Sequence, residues 1–291
     1  MVEIVETAWA KINLALHVTG QREDGYHLID SLVTFADIGD VLSFETSNSD
    51  KLTVSGAFAE LLSADTDNLV VRARDLFRQA AIERGHSVAP VSIHLEKNLP
   101  IASGIGGGSA DAAACMRGLA RLWNIPDRNL DIGGIAAGLG ADVPMCHVSE
   151  PLIARGIGED IEPVKWLAPF SIVLVNPLET VSTPRVFGAL GNKNNDPLNI
   201  QPANGDLNEL VLALQNTRND LEEPAKRLAP VIGEVMAALA ECQPLFQRMS
   251  GSGATCFGIF HDPVAARLAG DALRDKYPHW WVRSGMTRTA S

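Results

Sequence analysis

Four cysteines, Cys115, Cys146, Cys242 and Cys256, are spread over 291 residues with no Cys-x-x-Cys pair and no metal-ligand spacing. That scarcity excludes a disulfide framework and a zinc ribbon, and it reads as small buried side chains in a reducing, cytoplasmic setting. The seven histidines form no His-x-x-x-His pair, which argues against a zinc site of that type. Basic residues are also few. With 24 Lys and Arg against 35 Asp and Glu the net charge is −11, so the clustered cations that a nucleic-acid backbone demands are missing. No apolar run approaches the roughly 20 residues of a membrane span. The N-terminus is acidic where an export signal would be basic. Internal repeats and low-complexity tracts are absent as well. What remains, at 46% hydrophobic residues with mixed charge, is a well-buried globular chain long enough for one large domain or two ordinary ones.

The most informative segment present is Leu99-Pro100-Ile101-Ala102-Ser103-Gly104-Ile105-Gly106-Gly107-Gly108-Ser109-Ala110-Asp111. Glycine lets a ligand approach backbone N–H groups without a Cβ in the way. The following alanines predict a helix from Ala110 to Leu122, with Ser109 or Asp111 as its cap. A glycine-rich loop feeding a helix N-terminus is an anion site, because unpaired N–H groups and the dipole converge there; a flexible surface turn is the plain alternative. Three known motifs fail here. No lysine follows Gly108, as a Walker A loop needs. Ser109 stands where the dinucleotide fingerprint needs Gly or Ala, and Asp111 where a nucleophile elbow needs Gly.

Two other segments carry candidate chemistry. From Ala8 to Val18 apolar residues alternate with Trp9, Lys11, Asn13, Ala15 and His17, a period of two that predicts a strand with one buried face. Lys11 and Asn13 then sit side by side on the other face, where a lysine can equally be a snorkelling surface residue. Gly138 and Gly140 predict the end of a helix begun near Leu130, and Pro144 predicts that no helix resumes at once. Asp142 would thereby be held in a short rigid connection, either as a functional carboxylate or as a turn residue bonding its own backbone.

Pro100-x-x-x-Gly104-x-Gly106 with small residues after it resembles the ATP loop of the GHMP kinase superfamily, the small-molecule kinases of galactose, homoserine and mevalonate type. Ala10-Lys11-Ile12-Asn13-Leu14 followed by Gly25-Tyr26-His27, and Gly140-Ala141-Asp142-Val143-Pro144, resemble the branch that phosphorylates a cytidyl diphosphate sugar alcohol of the non-mevalonate isoprenoid route. Met249-Ser250-Gly251-Ser252-Gly253-Ala254-Thr255 is similar to the third superfamily motif, and Ala154 to Glu159 and Asn219 to Glu222 agree with the same branch. The likeness runs from Ala8 to about Phe260.

The resemblance implies an α+β fold of two lobes, ribosomal-S5-like over residues 1–160 and ferredoxin-like over 161–291. It implies ATP with Mg²⁺ as phosphoryl donor, a small-molecule cytidyl diphosphate as acceptor, and Lys11 and Asp142 as the catalytic pair. Asp142 would take or orient the hydroxyl proton, and Lys11 would keep it ionised. Pro100, Ile101, Ala102, Ser103, Gly104, Ile105, Gly106, Gly107, Gly108, Ser109 and Ala110 would wrap the phosphates, with Gly251, Ser252 and Gly253 closing over them. Asn68 and Lys97 would line the adenosine end. Asn13, Tyr26, His27, Thr183, Pro184 and Phe187 would meet the acceptor, the aromatics suiting the π-faces of a cytosine, although Phe187 can equally be a core residue. Gly107 and Gly108 occupy the place where many superfamily members carry Ser-Ser and a metal contact, so no protein ligand for the metal is assigned. A homoserine or mevalonate-type kinase and a catalytically inactive nucleotide-binding regulator are the competing readings. Tyr26-His27 with Gly107-Gly108 opposes the first, and the presence of both Lys11 and Asp142 opposes the second.

Residue patterns predict strands at 7–18, 29–36, 41–47, 51–56, 91–96, 171–176, 245–249, 255–261 and 279–284. They predict helices at 68–83, 109–123, 130–138, 206–216, 219–241 and 263–276. Strands and helices mixed without strict alternation indicate α+β. The Asn-rich stretch from Gly191 to Gly205 reads as a mobile loop.

Overall fold

The computed structural model describes residues 4–62, 67–126, 130–200 and 205–290. The chain separates into two compact units built from interleaved segments, Met1–Ala10, Gly39–Ile101 and Gly106–Val148 in the first, Lys11–Ile38, Ala102–Ile105 and Ser149–Ser291 in the second. Strands and helices are mixed as the α+β expectation required. No helix among the described residues is long and apolar enough to cross a membrane.

Two long strands, β1 (Ile4–Gln21) and β2 (His27–Thr46), contribute to both units. The patterns at 29–36 and 41–47 prove to be one strand, carried through Gly39, where an added Cβ would stand 2.4 Å from the Ala8 carbonyl oxygen. Only glycine lets the two backbones approach so closely. The expectation of a single buried face on β1 also needs correction. Its residues from Ala10 to Val18 are buried on both faces, and the polar ones are paired internally: Asn13 Nδ2 donates to Ser31 Oγ at 2.8 Å, and Arg218 N–H donates to His17 Nε2 at 3.2 Å.

In the first unit the C-terminal part of β2 pairs antiparallel with β4 (Val91–Glu96), which pairs in parallel with β3 (Lys51–Ser55). Helices α1 (Leu69–Glu83), α2 (Gly107–Leu122), α3 (Ile132–Leu139) and α4 (Val143–Val148) belong to the same unit. Phe44, Phe77, Leu95, Met116 and Leu119 are completely buried there. Gly118 on α2 leaves the space that Phe44 fills, a Cβ falling 2.2 Å from its ring. α4 was not expected. Pro144 is its second residue, where the missing N–H has no intrahelical partner to lose.

In the second unit the N-terminal part of β2 pairs with β5 (Leu152–Gly156), and β5 with β6 (Asp160–Pro163); neither short strand shows a clear period in the sequence. A four-stranded antiparallel sheet has the order β10 (Trp281–Met286), β7 (Ser171–Asn176), β9 (Cys256–Phe260), β8 (Phe246–Met249). Helices α5 (Thr183–Gly188), α6 (Leu207–Gln215), α7 (Glu222–Leu228), α8 (Val231–Glu241) and α9 (Pro263–Lys276) complete it. Val173, Val175, Ile232, Val235, Leu239 and Leu273 lie in its core. The single helix expected over 219–241 is broken at Pro230, which cannot donate and drives Ala229 out of the helical region, to φ −137° and ψ 86°. The stretch read as mobile is tied down over its described residues. Asn195 N–H donates to Val18 O, His17 Nδ1 to Asp196 O, and Leu198 N–H to an Asp30 carboxylate oxygen.

Candidate active site

The glycine-rich segment is anchored separately in each unit. Within the first, the chain leaves β4 and turns at once. Lys97 N–H donates to Ser55 O at 2.7 Å, and Phe58 N–H to Lys97 O at 3.1 Å. The N–H groups of Asn98 and Leu99 both donate to Asp40 Oδ1. After the loop, α2 begins at Gly107, three residues earlier than expected, and its cap is Gly106 in the left-handed region at φ 66°. The cap assigned to Ser109 or Asp111 is therefore wrong: both lie inside the helix, and no side chain caps it. Glycine at the cap and at the first two helical residues leaves those amides with no side chain over them, as an anion cradle requires.

Gly108 faces α1, its Cβ position lying 3.4 Å from Leu69 Cδ1. The neighbouring Asn68 is the N-cap of α1, with Oδ1 accepting from Val70 N–H at 2.9 Å. Lys97, expected at the adenosine end, turns its side chain inward. Its ammonium is 2% exposed and committed to Asp40 and Asp111. Burial disfavours the charged ammonium, but these two carboxylates outweigh it and hold the Lys97 pKa above its ordinary value. Asp142 is half-buried immediately before α4, and its carbonyl accepts from Cys146 N–H at 3.0 Å. Arg117 of α2 donates to Cys146 O and His147 O, fixing the far end of the same short helix.

Within the second unit, residues 102–105 lie along β1 and the turn at 250–255. Lys11 N–H donates to Ile105 O at 3.0 Å, and Thr255 N–H to Ser103 O at 3.1 Å. Ser250 Oγ accepts from Asn13 N–H and donates to Gly104 O, both at 3.1 Å. One hydroxyl thus joins the first strand, the loop and the third motif. The backbone fits too closely for side chains: a Cβ on Gly104 would be 2.5 Å from Ser250 O, and one on Gly251 2.7 Å from Gly104 O. The Ser252 and Thr183 hydroxyls share a hydrogen bond of 2.8 Å, and Pro184 follows in the first turn of α5. Lys11 and Asn13 are 4% and 1% exposed, which excludes a snorkelling lysine. Asn13 Oδ1 is buried without a hydrogen-bond partner.

Tyr26 stands out on a turn held by Arg22 N–H to Tyr26 O and by Tyr26 N–H to Asp24 Oδ1. It is 57% exposed. The His27 and Phe187 ring centroids are 4.8 Å apart, too close for a third ring to enter between them. Phe187 also packs on the core of the unit, as its core reading expects. His27 Nε2 is buried without a partner. Burial, then the charge of Lys193, lowers the His27 pKa, leaving a neutral imidazole at pH 7.

The sequence did not single out Asp40, which falls between the strands expected at 29–36 and 41–47, nor Ser31, which binds Asn13. Ser250 lay within the third motif, yet only the fold shows which groups its hydroxyl joins. Among the described residues no group of three or more His, Cys, Asp or Glu could hold a metal ion.

Residues 68–150 match the model of the GHMP kinases N terminal domain, and residues 200–279 that of the GHMP kinases C terminal. The 4-diphosphocytidyl-2-C-methyl-D-erythritol kinase of Rhizobium etli (strain CIAT 652) is 53% identical over 284 residues, 98% of this chain and 95% of the relative. That of Agrobacterium fabrum is 53% identical over 290 residues, 99% and 96% of the two chains. Among solved structures, a 4-(cytidine 5'-diphospho)-2C-methyl-D-erythritol kinase superposes with a TM-score of 0.78 at 33% identity, covering 97% of this chain and 98% of its own. A homoserine kinase from Cytophaga hutchinsonii, at 18% identity and TM-score 0.68 over 99% and 95% of the chains, shares the fold. Family models over more than half its length, together with relatives identical at every second residue, establish that this chain belongs to the GHMP kinases, small-molecule kinases that use ATP as phosphoryl donor.

Proposed function

We propose that this chain transfers the γ-phosphoryl group of ATP, delivered with Mg²⁺, to the 2-hydroxyl of 4-diphosphocytidyl-2-C-methyl-D-erythritol, a step of non-mevalonate isoprenoid precursor synthesis. The relatives at 53% identity support the choice of acceptor. So does an aromatic and imidazole group suited to a cytosine: Tyr26, an exposed ring for one face of the base, Phe187 for the other, and the unpartnered His27 Nε2 for its edge.

Phosphoryl transfer has a loose transition state, so alignment and charge compensation carry most of the acceleration. The amides of residues 100–110 cradle the phosphates, and Gly251, Ser252 and Gly253 close over them. Asn68 marks the adenosine end. Asp142 accepts the proton of the attacking hydroxyl, and Lys11 offsets charge on the transferred group. Asn13 Oδ1, an acceptor lacking a donor, serves an alcohol of the acceptor. Mg²⁺ arriving with ATP would neutralise charge on the triphosphate, no protein ligand for it being assigned.

The single observation that carries this reading is the Ser250 hydroxyl, which ties Asn13 of the Lys11 strand to the glycine loop. The test is steady-state kinetics of the purified protein with the cytidyl alcohol, homoserine and mevalonate as acceptors, and of Asp142→Asn. We expect turnover with the cytidyl alcohol alone. Loss of a positioned base lowers kcat about 10²- to 10⁴-fold, while KM for ATP changes little. Faster turnover of another acceptor, or an Asp142→Asn variant with most of its kcat, refutes the assignment.

A further inference from the structure

Beneath the first turn of α2 lies a buried ion cluster that the transfer chemistry above leaves without a role. Lys97 Nζ donates to Asp40 Oδ2 and, at 2.6 Å, to Asp111 Oδ2. All three side chains are at most 4% exposed. The cluster grips the glycine-rich segment on both flanks: Asn98 and Leu99 ahead of it through Asp40, and α2 behind it through Asp111. Gly107 sits directly on it, an added Cβ falling 3.2 Å from Lys97 Nζ.

Two carboxylates and one ammonium leave one negative charge in excess, and burying an uncompensated charge is costly. The donors are shared unequally. Asp40 receives three, from Lys97 Nζ, Asn98 N–H and Leu99 N–H, whereas Asp111 receives one, from Lys97, and is itself hydrogen-bonded to Asp40. Asp111 Oδ1 is buried with no partner at all, a cost far smaller for a neutral acid than for an anion. We propose that Lys97, Asp40 and Asp111 are a positioning cluster that sets the first turn of α2 for the donor phosphates, with Asp111 carrying the one proton that makes the cluster electroneutral. This rests on the reading that the turn receives the ATP phosphates.

Burial pushes the Asp111 carboxyl up to about 8, against the pull of Lys97 and with the repulsion of Asp40. Facing it are Lys97 from the end of β4, Asp40 from β2 and, one turn along α2, the Cys115 thiol. Arg74, Asp75 and Arg78 of α1 act on that thiol. Loss of the Asp111 proton puts a net negative charge under amides that hold an anion, so triphosphate binding weakens as pH rises through this range.

The experiment measures KM for ATP and inhibition constants for ADP and adenosine between pH 6.5 and 9.5, for the wild type, Asp111→Asn and Gly107→Ala. In the wild type KM for ATP should rise about tenfold across the titration, the weight of one nearby buried charge, while adenosine, lacking phosphates, stays constant. Asp111→Asn, permanently neutral, should hold the low-pH value throughout. Gly107→Ala, which presses on Lys97 Nζ, should weaken ATP and ADP several-fold and leave adenosine alone. Lys97→Met tests the ammonium directly, and Gly107→Ala decides if that variant does not fold. An unchanged pH dependence in Asp111→Asn, or adenosine weakened in parallel with ATP, overturns the proposal. Hydrogen exchange with an unreactive ATP analogue separates the two readings: no protection of the amides at 106–110 sinks the phosphate assignment itself, and protection with a flat pH profile sinks only the cluster's role.

Discussion

Alanine at Gly104 or at Gly251 should open the same seam. Gly104 has φ +78°, and its Cβ would meet Ser250 O at 2.5 Å and Gly253 N and O at 2.8 Å. Gly251 has φ +55°, and its Cβ would meet Gly104 O at 2.7 Å. All of these neighbours are backbone, so no side chain can swing aside. A left-handed alanine costs about 1–2 kcal/mol, and forced overpacking about 1–3 kcal/mol more, giving roughly 2–5 kcal/mol for each substitution. The hydrogen bonds from Ser250 Oγ to Gly104 O and from Thr255 N–H to Ser103 O bridge the seam and should lengthen first. Once one alanine has parted the loop from the turn, the second has less to displace. The double variant should therefore fall short of additivity by about 1 kcal/mol or more. Urea unfolding followed by tryptophan fluorescence suits this measurement, since Trp166, Trp280 and Trp281 all lie in the affected unit. KM for ATP should rise in both single variants. A cost below about 1 kcal/mol for either, or strict additivity of the pair, would show that the seam is not packed as described.

Two further outcomes are expected. Tyr26→Ala should raise KM for the cytidyl acceptor about fivefold or more, the weight of one base–aromatic stack, and leave KM for ATP unchanged; equal KM values for the acceptor would remove Tyr26 from the site. His17 is neutral in the fold, with Nδ1–H donating to Asp196 O and Nε2 accepting from Arg218 N–H. Burial, then the Arg218 charge, lowers its pKa below 6.5. The unfolded chain then binds the extra proton more readily, so this stabilisation is complete above about pH 6.5 and is lost as pH falls below it. His17→Gln should flatten the stability slope between pH 6.5 and 5 by up to about 1.4 kcal/mol per pH unit, read from urea unfolding at each pH; an identical slope in the variant would exclude His17 as its source.

Local chemistry made much of this protein legible before folding. The period of two in β1, the alanine-rich run of α2 and the glycine run before it are short-range signals, because strand alternation, helix propensity and φ > 0 are decided within a few residues. Asn68, directly ahead of the 69–83 helix, is a cap for the same reason. Element boundaries were less legible where one residue type permits two outcomes. Pro144 was read as a barrier and serves as the second residue of α4; Pro230, well inside a helical pattern, does break it. Short edge strands such as β6 carry too few residues to show a period.

The sequence by itself determined the family, the phosphate-loop candidate and the order of the motifs, since these depend on residue identity and spacing. Only the tertiary structure decided which polar groups are already spoken for. It gave the Lys97 ammonium to two carboxylates, one of them on β2, far from Lys97 in sequence, and left Asp111 Oδ1, Asn13 Oδ1 and His27 Nε2 without partners. Whether a polar atom is satisfied depends on neighbours distant in sequence and on removal from water, and neither is written in local pattern.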